Sequence, residues 1–147
     1  AGLRARRYGV GFLIDTNVLA ELRKGERGDP GVQAWYAGIS SSDIYVSVIV
    51  LGEIRRGAEL LRRRDPIAAV RLDVWLTTLR TSVGNRLLPI SQEVADCWGH
   101  LGIPDPFPIA DGLLAATALV HDLVLVTRNT RDVERSGVKM LNPFSSR

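Results

Sequence analysis

Short apolar runs recur along the chain, separated by longer mixed segments. Two of them, Gly11–Ile14 and Leu123–Thr127, lead directly into polar residues, and three more lie at Ile44–Ser47, Leu87–Ile90 and Val138–Leu141. Apolar runs of about four to eight residues that are bounded by polar or turn-forming residues are typical of strands buried on both faces. The pattern therefore predicts five strands, with Val138–Leu141 at an edge of the sheet.

Between these runs, apolar residues recur at helical spacing. From about Val48 onward, Leu51, Ile54, Ala58 and Leu61 follow one another at intervals of three or four residues, which predicts an amphipathic helix. Similar patterns predict helices that begin after Asp15 and after Ser91, and helices over Val32–Ala37, Pro66–Thr81 and Ile109–His121.

The alternation of strands and helices indicates an α/β fold. Parallel neighbouring strands need crossover connections, so this order of elements predicts a mostly parallel central sheet covered on both faces. Ligands of such folds bind beyond the carboxyl ends of the strands. The polar residues that follow the two strongest strands, Asp15 and residues 127–132, are therefore the first candidates for chemistry.

Length and composition indicate one globular domain. Of the 147 residues, 46% are apolar and 24% are charged, as in average globular proteins. We assign residues 9–147 to a single domain and residues 1–8, which are basic and polar, to a flexible N-terminal extension. No apolar run approaches the roughly twenty residues of a membrane span. One cysteine, Cys97, excludes an internal disulfide framework and a multi-cysteine zinc site, and fits a reducing cytoplasm.

The basic residues are mostly arginine. The formal net charge is +3, and all 19 basic residues except Lys24 and Lys139 are Arg. Guanidinium groups suit phosphate and carboxylate, so this bias is compatible with nucleic acid or an acidic protein as partner. Genome composition produces the same bias, and charge alone therefore does not decide the function.

Three acidic residues stand where a solvated acid is not expected. Asp15 ends an apolar strand, Glu53 lies beside the apolar stripe of its helix, and Asp111 lies in the first turn of an almost wholly apolar helix. Asp15 and Asp111 have the alternative of capping their helices. Glu53 has that of pairing with Arg55 or Arg56. Burial of an unpaired charge is costly, so Asp111 should have a cation, a hydrogen-bond network or a metal as its partner.

A shared site for these acids would call for a divalent cation. Acids that converge without a neutralising partner repel one another and take up protons unless such an ion lies among them. Oxygen ligands without Cys or a nearby His pattern favour Mg²⁺ or Mn²⁺ over Zn²⁺. These ions polarise phosphodiesters and lower the pKa of a bound water. If the acids meet in the fold, the sequence predicts a Mg²⁺ or Mn²⁺ site that acts on phosphates.

Three segments also carry a family resemblance. They are LIDTNVLAEL (Leu13–Leu22), SVIVLGEIRRGAELL around Glu53, and PIADGLLAATALVHDLVLVTRNTRDVE (Pro108–Glu134). Their content and order resemble the PIN-domain ribonucleases, specifically the VapC toxins of the FitB-like kind, from Phe12 to Phe144. The resemblance implies a three-layer α/β/α PIN-like domain. It also implies a metal-dependent endoribonuclease that, as the toxin of a toxin–antitoxin pair, hydrolyses RNA with a metal-activated water and so inhibits translation.

The resemblance assigns roles to the three acids. Asp15, Glu53 and Asp111 correspond to the family's first, second and third acids, which implies that they are catalytic and bind Mg²⁺ or Mn²⁺. Asp15 and Asp111 are the expected direct ligands. Glu53 is expected to ligate the metal or to orient its bound water.

Residues beside these acids match the family pattern as well. Thr16 and Asn17 complete the DTN motif and are expected to orient Asp15 or to contact substrate. Thr127 matches the hydroxyl residue that ends the fourth strand. Arg128, which follows it, is a candidate for binding substrate phosphate.

The chain departs from the fullest family pattern at Asn129, where many PIN domains have a fourth acid. An amide supplies oxygen but no charge, so Asn129 is expected to support the site, and a second strongly bound metal is in question. The next acidic residue along the chain is Asp132. It is either an additional acid of the site or a surface residue that caps a short terminal helix.

The leading hypothesis implies partners, and two alternatives compete with it. The implied partners are tRNA or rRNA as substrate, a cognate small antitoxin of the VapB-like or FitA-like kind, and a second copy of the chain in a homodimer, with no membrane. A catalytically weak PIN-like module would instead bind nucleic acid without turnover, and Asn129 leaves room for this reading. A metal-dependent phosphatase would use the same ions, but the chain has neither a Gly-rich phosphate loop nor an Asp-x-Asp nucleophile motif.

Overall fold

The structure is a computed structural model that describes residues 10–145. The extension predicted at residues 1–8 lies outside the described residues. Within the described range the strands are β1 (Phe12–Ile14), β2 (Ile44–Ser47), β3 (Leu87–Leu88), β4 (Val124–Val126) and β5 (Met140–Leu141). The α-helices there are α1 (Thr16–Arg23), α2 (Pro30–Ala37), α3 (Val48–Arg62), α4 (Pro66–Val83), α5 (Gln92–His100), α6 (Ile109–Val120) and α7 (Thr130–Val133).

The strands form one parallel sheet in the order β3-β2-β1-β4-β5. Phe12 of the central strand β1 lies opposite Ile44 of β2 on one side and Val124 of β4 on the other. The predicted α/β fold with a mostly parallel sheet is confirmed. The order in which the chain adds strands reverses between β1 and β4, and the crevice at such a reversal is where open α/β sheets bind ligands.

Helices cover the sheet on both faces, as right-handed crossovers in the two directions require. Along the chain, α1 contacts α2 and α3 contacts α4, while α6 contacts both α5 and α7. The central strands are accordingly apolar on both faces, and Leu13, Ile14, Leu125 and Val126 are at most 1% exposed. Alanine and glycine on α6 let that helix approach its neighbours closely. None of the helices in residues 10–145 has the length and hydropathy of a membrane span.

Most predicted elements begin and end within about two residues of the observed bounds. The helix predicted over Val32–Ala37 starts earlier, at Pro30, because the Asp29 carboxylate caps it by accepting a hydrogen bond from the Val32 N–H (3.1 Å). Proline is favoured in the first helical turn, where its missing N–H is no loss. Ser91 caps α5 as predicted, since its hydroxyl accepts from the Val94 N–H (3.1 Å).

Candidate active site

Asp15 lies at the carboxyl end of β1, where three donors hold its side chain. Its Oδ1 accepts from the Thr16 N–H (2.7 Å), and its Oδ2 accepts from the Thr127 hydroxyl (2.8 Å) and from Asn17 Nδ2 (3.4 Å). The Asp15 N–H donates to the Val126 carbonyl (3.0 Å), so the β1–β4 ladder fixes the backbone as well. The residue is 8% exposed. Asp15 therefore caps α1 and also reaches across to β4, which a residue that only capped its helix would not do.

Thr16 connects Asp15 to the second acid. While its backbone N–H binds Asp15, its hydroxyl donates to Oε1 of Glu53 (3.0 Å). Glu53 lies on the exposed side of α3. Within residues 10–145 it forms no ion pair with Arg55 or Arg56, and Arg55 pairs with Glu59 of α3 and Asp73 of α4. The alternative in which Glu53 pairs with Arg55 or Arg56 is therefore not observed. Its carboxylate instead accepts from Thr16, the residue next to Asp15.

The segment after β4 closes this side of the site. Thr127, which is 1% exposed, accepts a hydrogen bond from the Asn129 N–H (3.1 Å) in addition to donating to Asp15. Next to it, the Arg128 N–H donates to Asn17 Oδ1 (3.3 Å). Two hydrogen bonds thus join the DTN motif after β1 to the residues after β4, across the crevice at which the strand order reverses.

Asp111 is half-buried in the first turn of α6 and belongs to the same group of charges. Burial raises its pKa, and the carboxylates of Asp15, Asp132 and Glu53 raise it further. No nearby cation among the described residues offsets these effects. The fold therefore brings all three sequence-predicted acids within electrostatic reach of one another.

Asn129 and Asp132 lie at the start of α7. Asn129 is the N-terminal flanking residue of this helix, and its carbonyl accepts from the Asp132 N–H (3.1 Å), but its side chain makes no capping hydrogen bond. Asp132 is exposed, yet its charge is one of the causes of the raised pKa of Asp111. Asp132 is thus a surface residue that also acts electrostatically on the site.

The donor chemistry of these residues suits a hard divalent cation. Among residues 10–145, no three Asp, Glu, His or Cys side chains converge closely enough to form a ready-made metal cage. The donors are nevertheless all oxygen, as Mg²⁺ and Mn²⁺ prefer, and Asp111 has the raised pKa expected where a positive charge is missing. The oxygen donors of Asp15, Glu53 and Asp111 fit such an ion in their chemistry.

Phe144 lies beside the site, and its role is not predicted from the sequence. The Arg128 guanidinium lies over its ring, with 4.7 Å between Cζ and the ring centroid. Apolar periodicity does not reveal which distant ring an arginine meets. The available signal is topological: β5 is the neighbour of β4, so the residues that follow these two strands emerge side by side.

Known proteins share this fold and much of this sequence. The profile of the PIN domain matches residues 12–137. Toxin FitB of Neisseria gonorrhoeae is 30% identical over 140 residues, which cover 90% of this chain and 98% of FitB. VapC ribonuclease Y4jK of Sinorhizobium fredii is 30% identical over 140 residues, which cover 90% of this chain and 97% of the relative. A solved FitAB complex bound to an IR36 DNA fragment aligns with a TM-score of 0.82 and 27% identity, over 92% of this chain and 97% of the matched chain.

Proposed function

This chain belongs to the PIN-domain family, and from that premise we propose that it is a metal-dependent endoribonuclease that acts as the toxin of a toxin–antitoxin pair. The family membership agrees with the resemblance of the three sequence segments. Similarity to the FitB and VapC proteins extends over nine-tenths of the chain, and it supports the toxin assignment within the family.

The observation that carries the proposal is the electrostatic state of Asp111. Its pKa is raised by burial and by the charges of Asp15, Asp132 and Glu53. Acids brought together at a cost, with no compensating base among the described residues, are characteristic of sites that work with a bound cation. The position of the group at the reversal of strand order is also where an α/β fold binds its substrate.

Each residue of the group has a task that its contacts support. The three donors to Asp15 orient its carboxylate before a substrate arrives, which removes the cost of reorganising it during the reaction. Thr16 holds Glu53 beside it. Mg²⁺ or Mn²⁺, held by Asp15, Asp111 and Glu53, would supply polarisation of the phosphodiester and neutralise the charge that develops on its oxygens.

The biological role follows from the family and its relatives. We propose that tRNA or rRNA is the substrate, that cleavage inhibits translation in the cytoplasm, and that a small VapB-like or FitA-like antitoxin controls the enzyme. The FitAB complex bound to DNA supports an antitoxin partner by analogy. A homodimer is the expected form of the toxin.

Incubation of the purified, antitoxin-free protein with tRNA and rRNA tests the proposal. The expected result is discrete fragments in Mg²⁺ or Mn²⁺, none in chelator, and none with the Asp111→Asn variant, which controls for a contaminating nuclease. Fragments that persist in chelator or with the variant would contradict the assignment. Hydrolysis of a small phosphate monoester but not of RNA would instead favour the phosphatase alternative.

A catalytically weak RNA-binding module is the second candidate, and one observation favours it. Asn129 brings no charge to the place where many family members have an acid, and its side chain does not cap α7. RNA that binds to the wild-type protein with Mg²⁺ or Mn²⁺ but is never cut would support this candidate over the nuclease.

A further inference from the structure

The Arg128 backbone lies beside Asn17 of the DTN motif, and its guanidinium lies over an aromatic ring. We propose that Phe144 is a positioning residue that keeps the Arg128 guanidinium in place to bind an RNA phosphate flanking the one that is cleaved. The proposal rests on the proposed nuclease function and adds to it a residue outside the three segments that carry the family resemblance.

Contacts hold both the backbone and the guanidinium of Arg128. Its backbone N–H donates to Asn17 Oδ1 (3.3 Å), one residue beyond the Thr127 hydroxyl that holds Asp15. Its guanidinium lies over the Phe144 ring, 4.7 Å from the centroid. A cation–π contact places the guanidinium without pairing its N–H groups with an acceptor oxygen of the protein.

The charge of Arg128 is also available. Within residues 10–145, no carboxylate lies within ion-pair distance of Arg128, and its side chain donates no hydrogen bond to the protein. Arg55 and Arg62 differ, because Asp73 accepts from both of them (2.6 and 2.9 Å). An exposed guanidinium that lies over a ring and pairs with no described carboxylate, on the segment that follows β4, suits an anion bound at this edge of the site. A phosphate of the RNA backbone is such an anion.

Phe144 itself is anchored by the segment that follows β5, which we term the C-terminal clasp (residues 143–145). Ser145 donates its N–H and its hydroxyl to the two oxygens of the Asp29 carboxylate (2.9 and 2.7 Å), at the start of α2. At Gly31 the clasp and α2 touch so closely that a Cβ would clash with the Pro143 carbonyl oxygen. The clasp therefore fixes the backbone that carries Phe144, whose ring packs against the core and contacts the guanidinium.

RNA binding measured in the Asp111→Asn background tests the proposal without interference from cleavage. The probe is a fluorescein-labelled single-stranded RNA of mixed sequence, followed by fluorescence anisotropy. Arg128→Gln should weaken binding about tenfold, as loss of one charge-assisted hydrogen-bonded contact does, and should reduce the salt dependence by about one phosphate's share, roughly 0.7 in the log–log slope. Phe144→Leu should weaken binding about three- to fivefold, and Phe144→Tyr should restore it.

The decisive comparison is the double variant. If Phe144 acts through Arg128, then Phe144→Leu should weaken binding less than about 1.5-fold once Arg128 is Gln, because the two effects are not additive. Arg80→Gln, which removes the same charge from the exposed side of α4, is the matched control and should leave the affinity within about twofold of the parent.

Two further measurements separate positioning from general destabilisation. The Arg128 side-chain protons should show upfield ring-current shifts by NMR in the parent and in Phe144→Tyr, and these shifts should vanish in Phe144→Leu while the melting temperature stays close to that of the parent. Gly31→Ala, whose Cβ would press on the backbone of the clasp but on neither side chain of the pair, should also diminish the shifts and weaken RNA binding.

The outcomes distinguish this proposal from the function on which it rests. Additive effects of the two substitutions, or an Arg128 signal unaffected by Phe144→Leu, would overturn the positioning role while leaving the nuclease intact. If the Asp111→Asn parent does not bind RNA and the wild-type protein does not cut it, the proposed function itself is overturned.

Discussion

Replacement of Thr127 by Val tests whether the hydroxyl that joins β4 to Asp15 organises the site. Val has nearly the shape of Thr but no hydroxyl, so Thr127→Val removes the donor to Asp15 Oδ2 (2.8 Å) and the acceptor of the Asn129 N–H (3.1 Å). Thr127→Ser is the matched control, since it keeps the hydroxyl and loses only a methyl group.

The magnitude follows from the burial of the bond. Thr127 is 1% exposed and Asp15 is 8% exposed, so water cannot easily replace the lost donor. A hydrogen bond to a charged group contributes about 1.5–3 kcal/mol, and the Asn129 N–H adds little because it is partly exposed. Thr127→Val should therefore lower the free energy of unfolding by about 2 kcal/mol. Thr127→Ser should lower it by about 1 kcal/mol through the lost methyl.

Urea unfolding and RNA cleavage together separate the two variants. We expect kcat/KM for cleavage to fall by about tenfold or more in Thr127→Val, because the orientation of Asp15 is lost. In Thr127→Ser it should remain within about threefold of wild type, although both variants are less stable. Equal cleavage by the two variants, or an unchanged unfolding free energy in Thr127→Val, would refute the role given to this hydroxyl.

The remaining predictions concern the acids and the clasp. Asp111→Asn should reduce cleavage by at least about 100-fold. Its melting temperature at neutral pH should stay level or rise, because a carboxyl whose pKa is raised in the folded protein destabilises the fold once it ionises. A lower melting temperature by calorimetry would contradict this. EDTA should abolish cleavage and added Mg²⁺ or Mn²⁺ should restore it in a gel assay, and activity that survives EDTA would exclude a metal requirement. The hydrogen bonds of Ser145 lower the pKa of Asp29 from 3.8 to about 2, so their stabilisation is complete above the ordinary pKa and is lost as pH falls toward 2. Asp29→Asn should therefore flatten the pH dependence of the urea midpoint in that acidic range, and a midpoint that varies with pH as in wild type would show that Asp29 is not its source.

Local sequence patterns predict the strands and helices, and they place the three acids on these elements. The FLI and LVLV runs are apolar on every side chain, as in strands buried on both faces, and both end at a polar residue of the site. The predicted start of α2 is two residues late because Asp29 is its cap and Pro30 its first residue, and neither belongs to the apolar pattern. The pairing of Arg128 with Phe144 was beyond the sequence, because it depends on β5 lying beside β4. Side-chain contacts between distant segments are decided by strand order, which periodicity does not encode.

Strand order also explains how the chain tolerates an amide at position 129. Between β1 and β4 the crevice receives side chains from several loops, so a charge need not come from one particular position to act on the site. Asp132 lies in the first turn of α7, and it raises the pKa of Asp111 more than Glu53 does. The field at Asp111 is therefore that of a group with three acidic neighbours, although Asn129 is neutral. The departure at position 129 therefore replaces an acid by a neutral amide without removing the negative potential at Asp111, and under the proposed function a divalent cation would neutralise that potential.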